Sequence, residues 1–315
     1  MICAVVVTYN RKQMLVECVE ALLNQTIKPD KILVLDNAST DGTKDLLIEK
    51  DLFDKIVYKR LKNNMTAAGG FYWEMRCAYN LGVDYLWIMD DDVAPKEDAL
   101  EAFIGNTKIL NNDFSFLASA VYGYDDVPMN VPTIDAKPSM NGYADWYKYL
   151  NDKMVKIEIA TYVSLFITRE TIENVDLPYW RMGQWGVDTE HTKRMSQFKP
   201  AYFCGNSKVL HKRINSASLS PLKEKDKNRV KLYFSYYESQ LILYKYYYRK
   251  FTLLKYKIKM FLDGFKALNK KYRFIRIHNI YKGYFRYLFG KYNKKDFKNR
   301  YNNINEVYKD FIEEE

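Results

Sequence analysis

The chain has 315 residues, enough for one large domain or a domain with an appendage, and 48% of them are hydrophobic, the share of an ordinary globular protein. Its net charge of +10 is unevenly placed: residues 216–315 carry 24 Lys/Arg against 10 Asp/Glu, so residues 1–215 stand at −4, and 28 Tyr, 17 Phe and 5 Trp make the chain rich in aromatics. The 4 cysteines form no C-x-x-C pair, which excludes a disulfide scaffold and predicts reduced thiols in a cytoplasmic protein.

The opening "MICAVVVTYN" lacks the basic flank of a signal peptide. No apolar run approaches the ~18–20 residues of a spanning helix, so any membrane contact is expected to be peripheral. Residues 2–7 (ICAVVV) form a short β-branched run, as in a strand buried on both faces. Helical periodicity follows over residues 14–25. Residues 31–36 (KILVLD) predict a second buried strand closed by the turn "NASTDGT", and residues 55–61 a third. Residues 68–82 predict a helix that ends at Gly82, and residues 85–89 (YLWIM) a fourth strand. This alternation, with short connections, predicts an α/β fold with a mostly parallel sheet covered by helices on both faces.

Further along, a helix is expected from Pro95 to about Leu110, a strand over "FLASAVYG", and loops through residues 123–155. Residues 156–168 are long and β-rich. A Trp/Gly loop leads into a helix near Asp188, and "SKVLHKR" ends the body. From about residue 227 the character changes. Apolar residues from Tyr233 to Phe265 recur every three or four positions, the pattern of one face of a long helix, with lysines mostly elsewhere around it. The expected division is therefore residues 1–220 as a catalytic domain and residues 221–315 as a basic, Tyr-rich helical extension.

Ligands of parallel sheets gather at the carboxyl ends of the strands. That rule places Thr8–Tyr9–Asn10, Asp36 and the triplet Asp90–Asp91–Asp92 on one rim, although they are far apart in sequence. Three adjacent carboxylates at the end of a buried strand repel one another and need a positive partner. One reading is a divalent cation that also holds a diphosphate, since hard cations prefer oxygen ligands. In extended chain Asp90 and Asp92 point to one side and Asp91 to the other, braced against the backbone. The competing reading is a solvated turn that caps the next helix.

In order, "VVVTYNR", "ILVLDNASTDGT", "AAGGF" and "DDD" resemble family 2 glycosyltransferases of the GT-A fold over roughly residues 1–215. The resemblance implies a nucleoside-diphosphate sugar donor, most simply a UDP-sugar, and Mn²⁺ or Mg²⁺ as cofactor. It implies that Thr8, Tyr9 and Asn10 border the nucleobase with Arg11 nearby, and that Asp36 bonds base or ribose. Asp90 then sits near ribose and metal beside Asp91, and Asp92 is the direct metal ligand. "NMTAAGGF" resembles the Asn-x-Gly-Gly-Ala-Gly-Gly-Phe segment of bacterial galactofuranosyltransferases, with Thr66 and Ala67 where that pattern has glycines. Gly69 and Gly70 either let backbone approach sugar or phosphate, or pack helix against strand.

"WGVDTEHTKR" resembles the "W-G-D-D-x-E-x-x-x-R" block of the same group, which makes Asp188 the acceptor-activating carboxylate. Glu190, two residues on, diverges from it by about 200° on a helix. It is expected to be a helix-start partner, the swapped assignment remaining open. Trp185 or Trp180 either stacks on an acceptor sugar or packs in the core. The resemblance makes His211 the residue that completes the metal site. His191 is read as a solvated helix residue, and Arg194, Lys212 and Arg213 as possible neutralisers of phosphate charge.

The implied reaction is an inverting single displacement. It transfers galactofuranose, with rhamnose from dTDP-rhamnose next, to a glycan or lipid-linked glycan of a bacterial surface polysaccharide. The rivals are a nucleotide-sugar or nucleic-acid binding protein without turnover, and a nucleotidyltransferase. The second is disfavoured because "TYNRKQM" lacks the glycines of a triphosphate loop. The extension is read as contacting an anionic membrane surface, the catalytic domain or a second copy, with nucleic acid the least favoured partner.

Overall fold

The computed structural model describes residues 1–213, 219–290 and 311–313. Through residue 95 the chain runs β1 (Ile2–Thr8), α1 (Lys12–Leu23), β2 (Lys31–Asp36), α2 (Thr43–Glu49), β3 (Val57–Arg60), α3 (Thr66–Asn80), β4 (Tyr85–Asp90) and β5 (Val93–Pro95). It continues with α4 (Ala99–Ile109), β6 (Phe116–Tyr122), β7 (Thr133–Ile134), β8 (Met154–Ile159), β9 (Leu165–Thr168), α5 (Arg169–Val175), α6 (Val187–Phe198) and β10 (Ala201–His211). Three helices follow: α7 (Lys227–Tyr247), α8 (Lys250–Leu268) and α9 (Arg273–Phe289).

The strands form one mixed sheet in the order β3-β2-β1-β4-β9-β6-β10-β8-β7, with β5 added on β10. The first four strands are mutually parallel, and β9 joins the halves by running antiparallel to both β4 and β6. The β-branched run of β1 explains its central place. Cys3, Val5 and Val7 enter the core beneath α3, while Ala4 and Val6 enter the core beneath α1, so both faces of the strand are dry. In α1, Leu15, Cys18, Val19 and Leu22 form the buried stripe that matches this surface. The α/β arrangement is the one the sequence pattern predicts.

Three local expectations are corrected. Pro95 does not start a helix: it pairs with Val209 in the short strand β5, and the helix begins at Ala99. A proline fits there because a strand end requires no donated N–H. The β-rich stretch 156–168 is two strands, interrupted at residues 160–164. The long helix expected over Tyr233–Phe265 is two, α7 and α8, because the chain is extended at Tyr248 and Arg249 and turns back on itself, and α9 follows a second break at residues 269–272. Folding back lets Tyr237 and Leu241 of α7 bury against Tyr256 and Met260 of α8 and Ile280 of α9. A single straight helix would leave that stripe wet. Residues 291–310, 314 and 315 of the expected extension lie outside the described residues.

Candidate active site

Strand register builds the rim. Thr8 is level with Asp36 across β1 and β2, and Val7 is level with Asp90 across β1 and β4. Beyond β4 the chain turns, and Arg11 supplies the positive charge that the acidic triplet needs. Its Nη1 donates to Asp91 Oδ1 at 3.1 Å and to Asp92 Oδ2 at 2.8 Å. Thr8 Oγ1 donates to Asp91 Oδ2 at 2.8 Å. Asp91 is thus braced by two side chains, not by backbone as the sequence reading expects. Asp91 and Asp92 lie in the turn after β4, so the strand alternation the sequence suggests does not separate them: Arg11 holds both, and Asp92 also approaches Asp90 and His211.

His211 reaches this cluster because β10 pairs with β5: His211 is level with Val93, and Lys212 N–H donates to the Asp92 carbonyl at 2.8 Å. His211 Nε2 lies 3.3 Å from Asp92 Oδ1, and its Nδ1 lies 3.0 Å from Asn130 Oδ1. In a neutral imidazole the Asn130 contact places the proton on Nδ1 and turns the Nε2 lone pair toward the cluster. Asp92 Oδ1 is buried and accepts no well-formed hydrogen bond among the described residues.

One ligand atom each from Asp90, Asp92 and His211 lie within 4.8 Å of one another. Two carboxylate oxygens and an imidazole nitrogen, one oxygen orphaned, fit a divalent cation such as Mn²⁺ or Mg²⁺. Burial pushes Asp90 well above the usual carboxylate range, and Asp92 and Asp91 add to the push. Burial also opposes the charge on Asp92, but an N–H on His211 Nε2, when that nitrogen holds a proton in place of a cation, and the Arg11 guanidinium outweigh it and hold Asp92 low.

These groups line one end of a cavity of about 760 Å³. Asp188 lines the same cavity from the first turn of α6. Its Oδ1 accepts from the Thr189 N–H at 2.7 Å, and burial raises its carboxyl above the ordinary value. Trp185 is on the wall beside it, tilted over Tyr233 of α7 with ring centroids 4.5 Å apart. Ser239 Oγ of α7 donates to the Trp185 carbonyl at 2.6 Å. Gly186 has φ +95°, and a Cβ there would lie 2.5 Å from Ser239 Cβ, so only glycine permits this approach. The helical extension therefore forms part of the cavity wall, and Arg229 of α7 lines it too.

The model of a protein family described as "Glycosyl transferase family 2" matches residues 3–171. The chain belongs to this family. Among curated relatives, galactofuranosyltransferase GlfT1 of Mycolicibacterium smegmatis is 34% identical over 96 residues, which is 30% of this chain and 31% of that protein. The matched segment thus spans about a third of that relative's length. Among solved structures, residues 1–349 of S. aureus TarS superpose with a TM-score of 0.52 at 12% identity, covering 95% of this chain and 75% of that one. GalNAc-T7, solved with UDP, GalNAc and Mn²⁺, superposes with a TM-score of 0.56 at 16% identity, covering 76% and 51%. These likenesses establish the GT-A architecture.

Within this family 2 fold, the cavity brings together Thr8, Tyr9, Arg11, Asp90, Asp91, Asp92, His211, Asp188 and Trp185. Other expected residues stand elsewhere. Asp36 is fully buried, its oxygens taken by Ser39 N–H, Tyr58 OH and Arg60 Nη1, so it shapes the loop behind the rim. Asn10 is exposed and its Oδ1 accepts from the Thr40 N–H at 2.7 Å, while Trp180 is half-buried away from the cavity lining. Gly70 serves helix–strand packing, since a Cβ there would lie 2.7 Å from Val7 Cγ2, while Gly69 makes room for the side chain of Met65 at the start of the same helix. Glu190 is buried, paired with Arg194 at 2.9 Å and bonded by Tyr247 OH, so neither Glu190 nor Arg194 faces the cavity.

His191 is not solvated. It is fully buried, with Nδ1 2.6 Å from Tyr162 OH and Nε2 2.9 Å from the Asp176 carbonyl, and burial drives its pKa well down. Tyr162, which it holds, lines the cavity. Lys212 is tied to Glu17. Arg213 lines the cavity with no ion pair to any described acidic residue, and burial followed by the neighbouring Arg229 lowers its pKa. Sequence reading misses Tyr162, Asn37, Asn130 and Arg229. Asn37 stands in the quoted "LDNAST" turn, and the other three carry no local signal.

Proposed function

We propose that the chain is a metal-dependent inverting glycosyltransferase that moves a sugar from a nucleoside-diphosphate donor to a glycan hydroxyl. One observation carries this reading: the Asp90–Asp92–His211 cluster and a partly buried carboxylate, Asp188, share the wall of one cavity. The rim residues Thr8, Tyr9 and Arg11 border the nucleotide. Asp92 and His211, with Asp90, hold the cation, which when bound neutralises charge on the diphosphate as a Lewis acid.

Asp188 takes the proton from the acceptor hydroxyl. That oxygen forms its bond to the anomeric carbon as the bond from that carbon to the diphosphate oxygen breaks. A single displacement inverts the configuration. The electron pair leaves with the diphosphate, and Arg213 and Arg229 line the same cavity to offset its charge. Trp185, tilted over Tyr233, offers an aromatic face to an acceptor ring.

In this reading residues 1–220 carry most of the chemistry and α7, within the extension 221–315, completes one wall of the site. The donor is UDP-galactofuranose, supported by the segment similar to GlfT1, with dTDP-rhamnose as the next choice. The acceptor is a glycan, free or lipid-linked, of a bacterial surface polysaccharide. Calorimetry with UDP and Mn²⁺ tests the assignment. Binding is expected to fall about tenfold or more with chelator or with Asp92→Asn. Chelator-indifferent UDP binding by the unaltered chain removes the metal from the proposal. Absence of transfer from any of a panel of UDP- and dTDP-sugars removes the reaction.

A further inference from the structure

We infer that α8 is a docking face for an anionic lipid bilayer. The inference goes beyond the reaction and stands whichever sugar is transferred. It begins with a helix that has two apolar faces, only one of which is covered among the described residues. Tyr256, Met260 and Ala267 point inward, toward α7 and α9. Phe251, Leu254, Ile258, Phe261, Phe265 and Leu268 form a second row with spacings of three and four, and every one is exposed, Phe251 by 64% and Phe261 by 62%. At ~100° per residue these six fall within a stripe about a third of the helix circumference wide. A soluble surface scatters single apolar residues; a contiguous row of large ones marks a contact.

The charges decide what the row contacts. By the same angular count, Lys255, Lys259 and Lys266 lie along one flank of the stripe and Lys250 and Lys257 along the other. Apolar residues centred between two lysine rows is the cross-section of a helix lying in the plane of a bilayer surface, aromatics among the acyl chains and ammonium groups at the phosphates. From Arg249 to Phe289 the sequence has twelve Lys and Arg against one acidic residue, Asp263, and Asp263 is buried and paired with Lys259.

A second copy meeting this face would bring the same positive charge against it. Nucleic acid would be met by protruding aliphatic and phenyl side chains rather than by a groove. An anionic bilayer satisfies both features at once. Helix α9 exposes a row of its own, including Phe274, Phe285 and Phe289. No helix among the described residues is long and apolar enough to cross a membrane, so the contact lies along the surface.

The test uses the whole chain in flotation with phosphatidylcholine vesicles, with and without phosphatidylglycerol. The unaltered chain is expected to float with the anionic vesicles and to be released by high salt. The triple variant Phe251→Ser/Phe261→Ser/Phe265→Ser is expected to lose about tenfold or more in partitioning. Lys250→Gln/Lys255→Gln/Lys266→Gln is expected to lose the preference for anionic lipid. All six positions are on the exposed face or its flanks, and thermal unfolding and circular dichroism check that the fold is kept. No flotation of the unaltered chain overturns the inference, as does equal flotation of the phenylalanine variant. Light scattering that shows a dimer lost in that variant, without vesicle binding by the parent, assigns the face to a second copy instead.

Discussion

Asp92 Oδ1 stands 3.3 Å from His211 Nε2, and that oxygen takes no well-formed hydrogen bond among the described residues. Two strands that meet antiparallel, β5 and β10, hold the two side chains face to face although the residues are far apart in sequence. The pair is poised for a third party, and Asn130 fixes the ring that faces it.

Asn130→Ala removes the acceptor for His211 Nδ1–H while leaving all three candidate ligands. Outer partners of ligating histidines typically contribute about 10–100-fold to metal affinity. Titration of Mn²⁺ in the presence of UDP is expected to show a weakening of that order. Unchanged Mn²⁺ affinity would mean that the ring is held by β10 alone.

Asp188→Asn keeps the shape of the site and deletes the proposed proton acceptor. Turnover is expected to fall ~10²–10⁴-fold while UDP affinity is retained. The pH dependence has a definite sign. Burial raises the Asp188 carboxyl above the ordinary 3.8, and a base works only when deprotonated. The rate of transfer should therefore rise with pH through that elevated value, so the acid limb lies above where an exposed aspartate would put it. A limb at the ordinary value would assign the base elsewhere.

Thr66 combines a β-branched side chain with φ +64° and stands on the cavity wall. Asn37 clamps the turn, its Oδ1 accepting from Met65 N–H and its Nδ2 donating to the Thr66 carbonyl. Strain of this kind costs about 1–3 kcal/mol, against about 0.5–1 kcal/mol for the extra chain entropy of a glycine. Thr66→Gly is expected to raise the midpoint of thermal unfolding and to widen the range of sugar nucleotides bound. A lower midpoint would show that the hydroxyl contact to the Gly183 carbonyl, at 3.3 Å, outweighs the strain.

Gly186→Ala places a methyl against Ser239 at a backbone angle suited to glycine. A loss of about 1–3 kcal/mol in denaturant unfolding is expected. Transfer should fall with it, because Asp188 is two residues away. Pairing it with Ser239→Gly should recover part of the packing loss and none of the backbone strain.

The parallel half of the sheet was legible because each strand there is a short apolar run that ends in polar residues. The same logic put Thr8 and the acidic triplet on one rim. Asp36 sits on the right strand end, but no local pattern tells that Tyr58 and Arg60 of the neighbouring strand will occupy it. The glycines of α3 announce close approach without saying whether a ligand or Val7 is what approaches. His191 looked solvated because its neighbours Glu190, Lys193 and Arg194 are charged, yet Glu190 and Arg194 satisfy each other inside the fold. Periodicity of three and four runs unbroken past Tyr248, so it could not show that the backbone there is extended. Such contacts are made between segments distant in sequence, and local spacing carries no record of them.

The seam between Trp185 and α7 bears on how the chain can be divided. The change in composition invites a cut near residue 220, which would strip Tyr233 and Arg229 from the indole and Ser239 from the Trp185 carbonyl. Such a fragment would keep its acidic cluster but lose the floor on which, in the proposed reaction, an incoming alcohol rests. Water would then be the most available nucleophile, and the fragment's expected signature is free sugar and UDP released without any lengthened glycan.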